Sequence, residues 1–315
     1  MPIRNPQDLT QAVLKEMSGA QDPRQAELLT LAVKHLHSFV REAQLTEEEF
    51  HKTCMLIASL GQQTNASHNE VTLMAGSLGV SALVCLLNNG NHGEQDTTAN
   101  LMGPFWRMNS PACHHGQTLV KSKTPGLPVV VRARVVDKSG HGVKSATVDV
   151  WHSSGDGYYE NQDPIQADMN LRGKFTTDAL GEFWFHTKKP RGYPIPASGT
   201  VGLLLKNLGR HNMRPAHIHF MIYKEGYKTQ FSQVYSSDDP HLTTDVQFGV
   251  TEKLIGQYIL HAVDEIAPTT EIKGPWYSLD FEFKIEAGEA KLPRPPITAK
   301  AIAPRPTLEI LKRRT

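Results

Sequence analysis

The feature that most constrains the fold is a change of hydrophobic period about one third of the way along the 315-residue chain. Up to residue 100, apolar residues recur at helical spacing. Leu28, Leu29, Leu31, Val33, Leu36 and Val40 form one run, opened by Asp22 as N-cap and Pro23 as first helical residue. Phe50, Cys54, Ile57 and Leu60 form a second, behind a Thr46/Glu49 capping box. Leu73, Met74, Leu78, Val80, Leu83 and Leu87 form a third, behind a Ser67/Glu70 box. The polar stretch 88–100 reads as a linker. From about Leu119 the period is two. Val129–Val136, Ala146–Trp151 and Trp276–Ile285 read as strands. Lys174–Thr177 with Glu182–His186, and Ala216–Tyr223 with Tyr227–Tyr235, read as two hairpins. Thr251–Glu265 reads as a helix before the last strand. The expectation is an α+β chain: an N-terminal helical domain over 1–100, an all-β sandwich over 101–290, and a Pro-rich, basic arm over 291–315 that runs extended over the surface.

Charge gives no partner. Lys and Arg number 33 against 32 Asp and Glu, a net charge of +1, so no general field draws the chain to nucleic acid or anionic lipid. No apolar run reaches bilayer length, and the start, MPIRNPQDL, holds no apolar leader, so a cytoplasmic protein without a membrane span is expected. Three cysteines, Cys54, Cys85 and Cys113, are too few and too scattered for a disulfide framework, a zinc finger or an iron–sulfur cluster. Histidine, at 15, is plentiful. A metal here would take nitrogen and oxygen ligands.

One histidine pair has the geometry for that. His217 and His219 are two apart on an expected strand, so both imidazoles leave the same face and can approach one ion. His35 and His37 have the same spacing on an expected helix, where they diverge by about 200°. His114 and His115 are adjacent and diverge if extended. Two expected loops carry tyrosine beside glycine: Gly157-Tyr158-Tyr159 and Gly192-Tyr193-Pro194. A phenolate from each loop with the two imidazoles makes an N2O2 set suited to a hard cation such as ferric iron. Spacing alone leaves Tyr158 and Tyr159 equal, and it leaves two other classes open: a β-sandwich binding module with core histidines, or a zinc hydrolase using His217, His219 and a water.

The run Trp151-His152 to Gly157-Tyr158-Tyr159, then Gly192-Tyr193, then Gly209-Arg210-His211 to Arg214-Pro215-Ala216-His217-Ile218-His219, resembles the intradiol ring-cleavage dioxygenases. The resemblance extends from about Leu9 to Ile285, since the helical part is similar to that of the catechol and hydroxyquinol 1,2-dioxygenase branch. It implies one Fe(III) per chain, held by Tyr159, Tyr193, His217 and His219. The family pattern places the tyrosine eight residues after the tryptophan, which selects Tyr159 over Tyr158. It further implies catalytic roles for Arg214, beside the reacting ring, for Gln233, near the iron, and for Tyr193, as a ligand able to leave and take a proton. The helical domain would form a homodimer whose apolar interface takes up phospholipid, and the substrates would be O2 and a small aromatic diol.

Within that branch, Tyr193-Pro194-Ile195-Pro196 and Asn161-Gln162-Asp163 are similar to the hydroxyquinol enzymes. Leu101, Gly103, Pro104 and Phe105 match a pocket wall, with Ile195, Pro196 and Val250 closing it. The implied reaction cleaves hydroxyquinol to maleylacetate/hydroxymuconate. One departure leaves catechol, cleaved to cis,cis-muconate, as the alternative: at about the position of Cys85 hydroxyquinol enzymes often carry an acid, and a thiol is a weak donor.

Overall fold

Helices fill the first part of the chain for the reasons its sequence gives. The computed structural model describes residues 3–17, 19–65, 68–90, 97–300 and 304–313. They contain α1 (Pro6–Met17), α2 (Pro23–Glu42), α3 (Glu47–Gln63), α4 (Glu70–Ser77) and α5 (Val80–Asn88). Asp22 caps α2, its carboxylate accepting from the Arg24 N–H, with Pro23 in the first turn. Thr46 and Glu49 close the expected capping box at α3: Glu49 accepts from the Thr46 N–H and Thr46 Oγ1 from the Glu49 N–H. Ser67, the other expected cap, lies outside the described residues. Asn69 caps α4, and the Glu70 carboxylate accepts instead from the Val201 N–H. The apolar run Leu73–Leu87 is two helices rather than one, broken at Gly79 (φ 76°) with a bend of 76°. Among the described residues no single helix is long and apolar enough to cross a membrane.

The strands follow: β1 (Pro128–Val136), β2 (Thr147–His152), β3 (Arg172–Thr176), β4 (Glu182–Lys188) and β5 (Tyr193–Pro194). After helix α6 (Thr200–Asn207), which the sequence reading did not assign, come β6 (Met213–Arg214), β7 (His217–Tyr223), β8 (Gln230–Ser236), β9 (Ile255–Gly256), β10 (Ile259–His261) and β11 (Trp276–Lys284). One sheet has the order β10-β11-β1-β4 and another β3-β2-β7-β8-β9, while β5 and β6 pair by themselves. Val129, Val131, Phe183, Phe185, Leu279 and Phe283 of the first sheet pack on Val148, Val150, Phe175, Ile218, Phe220, Ile222 and Val234 of the second. That is a β-sandwich, with each large apolar side chain contributing about 1.5–3 kcal/mol by burial.

Two expectations fail. The segments Lys174–Thr177 and Glu182–His186 do not form a hairpin: β3 pairs with β2 and β4 pairs with β1, so the turn between them passes from one sheet to the other. Thr251–Glu265 is not a helix. It holds a single 3-10 turn at Glu252–Leu254 and the short strands β9 and β10. Gly256 is the reason for the close approach there, since a Cβ on it would stand 2.6 Å from Leu279 Cδ1 and 2.7 Å from Val234 Cγ1. The hairpin of β7 and β8 and the final strand are as expected.

Period two decides what the second sheet offers outward. Ile218, Phe220 and Ile222 of β7 enter the sandwich core, so His217, His219 and Met221 occupy the other face. By the same alternation β2 sends Asp149 and Trp151 there, and β8 sends Gln233 and Tyr235. Slipping β7 by one residue would exchange the two sets completely. By internal packing the chain divides into two compact units, Met1–Ser59 and Leu60–Thr315, and all of these elements from β1 onward lie in the second.

Candidate metal centre

The two imidazoles on β7 meet one phenol. His217 Nε2 and His219 Nε2 are 3.1 Å apart, Tyr159 Oη is 3.1 Å from His219 Nε2, and it is 3.4 Å from His217 Nε2. The Tyr193 ring lies 5.4 Å from that of Tyr159 and 5.7 Å from that of His217, centre to centre. All four side chains are buried. The structure therefore selects Tyr159 over its neighbour for this cluster; Tyr158 is turned away, with its ring under the Arg305 guanidinium.

Local structure explains each position. Gly157 (φ 89°) turns the chain after β2, and Tyr159 opens a 3-10 turn at Glu160–Gln162. Beneath it the Glu160 carboxylate is gripped by Arg107 Nη1 at 2.8 Å and Arg172 Nε at 2.7 Å, so the loop is pinned by a buried ion pair. Tyr193 is set by backbone pairing, standing opposite Arg214 in the β5–β6 ladder. Trp151 stands opposite His219 and stacks on its imidazole. Gly103 is held at φ 71°, and a Cβ there would come within 2.9 Å of His219 Cε1. Phe105 packs on Tyr159, 4.4 Å between ring centres.

The donor chemistry fits a cation. His217 donates Nδ1–H to the Pro215 carbonyl at 2.7 Å, which leaves its Nε2 lone pair aimed at the other two donors. Burial, helped by Arg214, pulls His217 down to about 3; burial with the charges of His217 and Arg214 holds His219 well below its ordinary value. Both rings are neutral, the form in which an imidazole can bind a metal. Burial and the adjacent Tyr193 push the Tyr159 hydroxyl well above its usual range, so it needs a cation beside it to ionise. His219 Nδ1 is buried with no hydrogen-bond partner among the described residues. Ligands on one ion with bonds of about 2.0–2.1 Å sit about 3 Å apart, as these three atoms do. Among the described residues no group of three or more His, Cys, Asp or Glu could hold a metal.

Beside the donors runs a buried chain of hydrogen bonds. Asp245 accepts from Arg214 Nε and Nη2, both at 3.1 Å; Arg214 Nη2 also donates to Tyr235 Oη at 2.9 Å. Tyr235 donates to Gln233 Oε1 at 2.8 Å, and Gln233 Nε2 donates to the Leu101 carbonyl at 2.7 Å. Burial opposes the Arg214 charge, but Asp245 and the nearby tyrosines hold it well above its ordinary value. Burial likewise opposes the Asp245 charge, which Arg214 and the N–H groups of Gln247 and Gly249 keep below the usual carboxylate range. The sequence reading missed Asp245 and Tyr235, and no local signal marks either.

The other expected residues divide. Ile195 is buried with Met74, Val201, Leu205 and Val246. Val250 lines a cavity of about 510 Å3 with Arg210, Asp245 and Phe248, next to the donors' Arg214. Pro104 and Pro196 are exposed. Cys85 is half-buried on α5, its thiol pushed up by burial and touched by Asn89. Among the described residues no hydrogen bond or ring contact ties these last three to the four donors.

Comparison with known proteins shows the family. Residues 101–285 match the family described as Dioxygenase, and residues 22–96 match Catechol dioxygenase N terminus. The chain is 34% identical over 278 residues to hydroxyquinol 1,2-dioxygenase of Rhizobium sp. (strain MTP-10005), covering 87% of this chain and 92% of that one. It is 33% identical over 251 residues to catechol 1,2-dioxygenase of Candida albicans, covering 79% and 83%. The crystal structure of hydroxyquinol 1,2-dioxygenase from Pseudomonas putida DLL-E4 superposes with a TM-score of 0.81 at 34% identity, over 90% of this chain and 99% of that one.

Proposed function

The chain belongs to the intradiol ring-cleavage dioxygenases, and from that premise we propose that it cleaves hydroxyquinol (1,2,4-trihydroxybenzene), inserting both atoms of O2 between adjacent hydroxylated carbons to give maleylacetate/hydroxymuconate. In this reading one Fe(III) per chain is held by Tyr159, Tyr193, His217 and His219. The observation that carries it is the triangle of Tyr159, His217 and His219 donor atoms, with edges of 3.1, 3.1 and 3.4 Å. Ferric iron so held would supply Lewis acidity, drawing electron density from the diol until a ring carbon reacts with O2.

The chain's own residues do the rest. Tyr193, at 7% exposed against 1% for Tyr159, is the phenol that substrate can reach, and its oxygen takes a diol proton. Arg214 holds Nε and Nη2 on Asp245 and Tyr235, and its Nη1 donates to no group among the described residues. That nitrogen is positioned to stabilise negative charge on the ring at no cost in reorganisation, because Asp245 has already oriented the guanidinium. Gln233, opposite His219 and fixed at both ends of its carboxamide, keeps that side of the site polar. Leu101, Gly103, Pro104, Phe105, Ile195, Pro196 and Val250 form the wall of the substrate pocket.

Catechol is the second reading, favoured by Cys85: a half-buried thiol supplies no strong partner for a third hydroxyl. Oxygen uptake with hydroxyquinol and catechol side by side tests the choice. Higher kcat/KM for hydroxyquinol supports the proposal; a wide preference for catechol rejects it.

We assign residues 1–100 to dimerisation, 101–290 to chemistry and 291–315 to an arm. Leu28, Leu31, Leu36, Phe39 and Val40 stand exposed on α2 in the first unit, and Leu83, Val84 and Leu87 stand exposed on α5 in the second; each apolar face by itself calls for a covering partner, with phospholipid as a second occupant. Equilibrium sedimentation and lipid analysis of solvent extracts test both parts. The three cysteines are free thiols, which suits the reducing cytoplasm as the proposed location.

A further inference from the structure

The C-terminal arm has no regular secondary structure over 304–313, yet it is fastened at two points, one on each tyrosine loop. The first is Arg305. Its Nη2 donates to Asp156 Oδ2 at 2.6 Å and to Asp163 Oδ2 at 2.9 Å, and its guanidinium lies 3.8 Å from the centre of the Tyr158 ring. Asp156 and Asp163 bracket the turn that carries Tyr159. Asp163 is 1% exposed, and its other donors are the Ile165 N–H and Gln166 Nε2. One cation therefore closes both ends of the loop and covers the residue next to Tyr159.

The second point is Asn212, fully buried just before β6. Its Nδ2 donates to the Ile195 carbonyl at 2.7 Å and the Glu309 carbonyl at 2.9 Å, while its Oδ1 accepts from the Leu311 N–H at 2.9 Å. Ile195 N–H returns a bond to the Asn212 carbonyl at 2.8 Å. The arm is thus tied to the residues two beyond Tyr193, and Leu311 packs on the apolar cluster that contains Ile195. Between the two fastenings Leu308 reaches Gly157: a Cβ there would lie 3.5 Å from Leu308 Cδ1 and 3.3 Å from Tyr193 Cβ.

We infer that residues 304–313 are a clasp that holds the Tyr159 and Tyr193 loops in register with each other, with Arg305 as its positioning residue. The inference rests on the proposed reading of those tyrosines as iron ligands. The two loops share no strand, since Tyr159 follows β2 and Tyr193 lies in the separate β5–β6 pair. The arm reaches both. Arg is the residue type this needs, because a planar fork can grip two carboxylates while its face stacks on a ring, and lysine can do only the first as a point charge.

The test compares the full-length, Fe(III)-loaded protein with Arg305→Ala, Arg305→Lys and Arg305→Ala/Asp163→Asn. The readouts are iron affinity, the position of the tyrosinate-to-iron charge-transfer band, and kcat and KM separately. Loss of a residue that orients ligands weakens metal binding by roughly tenfold to a hundredfold. Arg305→Ala is expected to show that loss with a displaced band and a fall in kcat larger than the rise in KM, and Arg305→Lys to lie between it and wild type. The double variant leaves no buried carboxylate unpaired. Its melting point recovers, but under the clasp its band and iron affinity stay displaced, so it also carries the test should Arg305→Ala fail to fold. Variants that match wild type in band and iron affinity, or a double variant that recovers both, overturn the clasp. A wild-type chain that binds ferric iron without the band overturns the ligand reading first, and the clasp falls with it.

Discussion

Trp151 and His219 stand opposite each other on adjacent antiparallel strands, and their rings stack 4.8 Å apart at an angle of 9°. The indole is fully buried and cannot turn, so it fixes the plane of the imidazole and with it the direction of Nε2. The stack carries more of the ring's orientation because His219 Nδ1, unlike that of His217, is without a hydrogen-bond partner among the described residues. Trp151→Leu keeps an apolar side chain but removes the plate. It is expected to weaken iron binding roughly tenfold or more and to lower stability by about 1–3 kcal/mol, read by iron titration and by denaturant unfolding.

Gly103 approaches the same ring. Alanine at that position would need φ 71° and would put a Cβ 2.9 Å from His219 Cε1. Gly103→Ala is therefore expected to displace the imidazole. Iron content after purification should drop well below that of the wild type, with at least about 1 kcal/mol of stability lost to backbone strain. Full iron occupancy in that variant would remove Gly103 from the site.

How much of this was legible in the sequence follows from range. His217 and His219 could be paired from spacing, because strand period is local and needs no knowledge of partners. The caps at Asp22 and Thr46 are local for the same reason. The Asp178–Gly181 turn was equally visible, but not that its strands join different sheets, since β1 and β2 are what they pair with. Thr251–Glu265 had helical spacing of apolar residues, and tertiary pairing of Tyr235 and Ser236 with Ile255 and Gly256 overrides it. Trp151 over His219 depends on the register of β2 against β7, across 68 residues of chain (219 − 151), which no local pattern encodes. Asp245 was invisible for the same reason: only the fold brings it to Arg214. Choosing Tyr159 over Tyr158 required the family resemblance, and the structure supplies the physical cause in the turn at Gly157.

The Arg214–Asp245 pair is buried at both ends, with side chains 5% and 2% exposed. Arg214→Gln strands the carboxylate and is expected to cost about 3–5 kcal/mol of stability. Arg214→Gln/Asp245→Asn restores most of that. Turnover should stay down roughly a hundredfold or more in both, because the charge facing the ring is gone. Recovery of kcat in the double variant would reduce Arg214 to a structural role.

Asp149 makes stability depend on pH in an unusual direction. It lies beneath the site with Oδ2 accepting from Trp106 Nε1 at 3.1 Å and Oδ1 without a partner among the described residues, and burial raises it to about 6. A raised carboxyl binds its proton more tightly when folded, so its contribution is full below about 4 and is lost as pH rises through about 6. Asp149→Asn imitates the protonated form. The difference in unfolding free energy between variant and wild type should therefore grow by roughly 3 kcal/mol from pH 4 to pH 7. A constant difference across that range would place Asp149's ionisation elsewhere.

The central claim, a ferric site built from two imidazoles and two phenols, is tested most directly by the visible absorption of iron-loaded protein with Tyr159→Phe and Tyr158→Phe in parallel. The account predicts a wine-red wild type whose tyrosinate charge-transfer band is lost or strongly altered in Tyr159→Phe and unchanged or only slightly shifted in Tyr158→Phe. A colourless wild type carrying iron, or a band abolished by Tyr158→Phe and preserved in Tyr159→Phe, would contradict it.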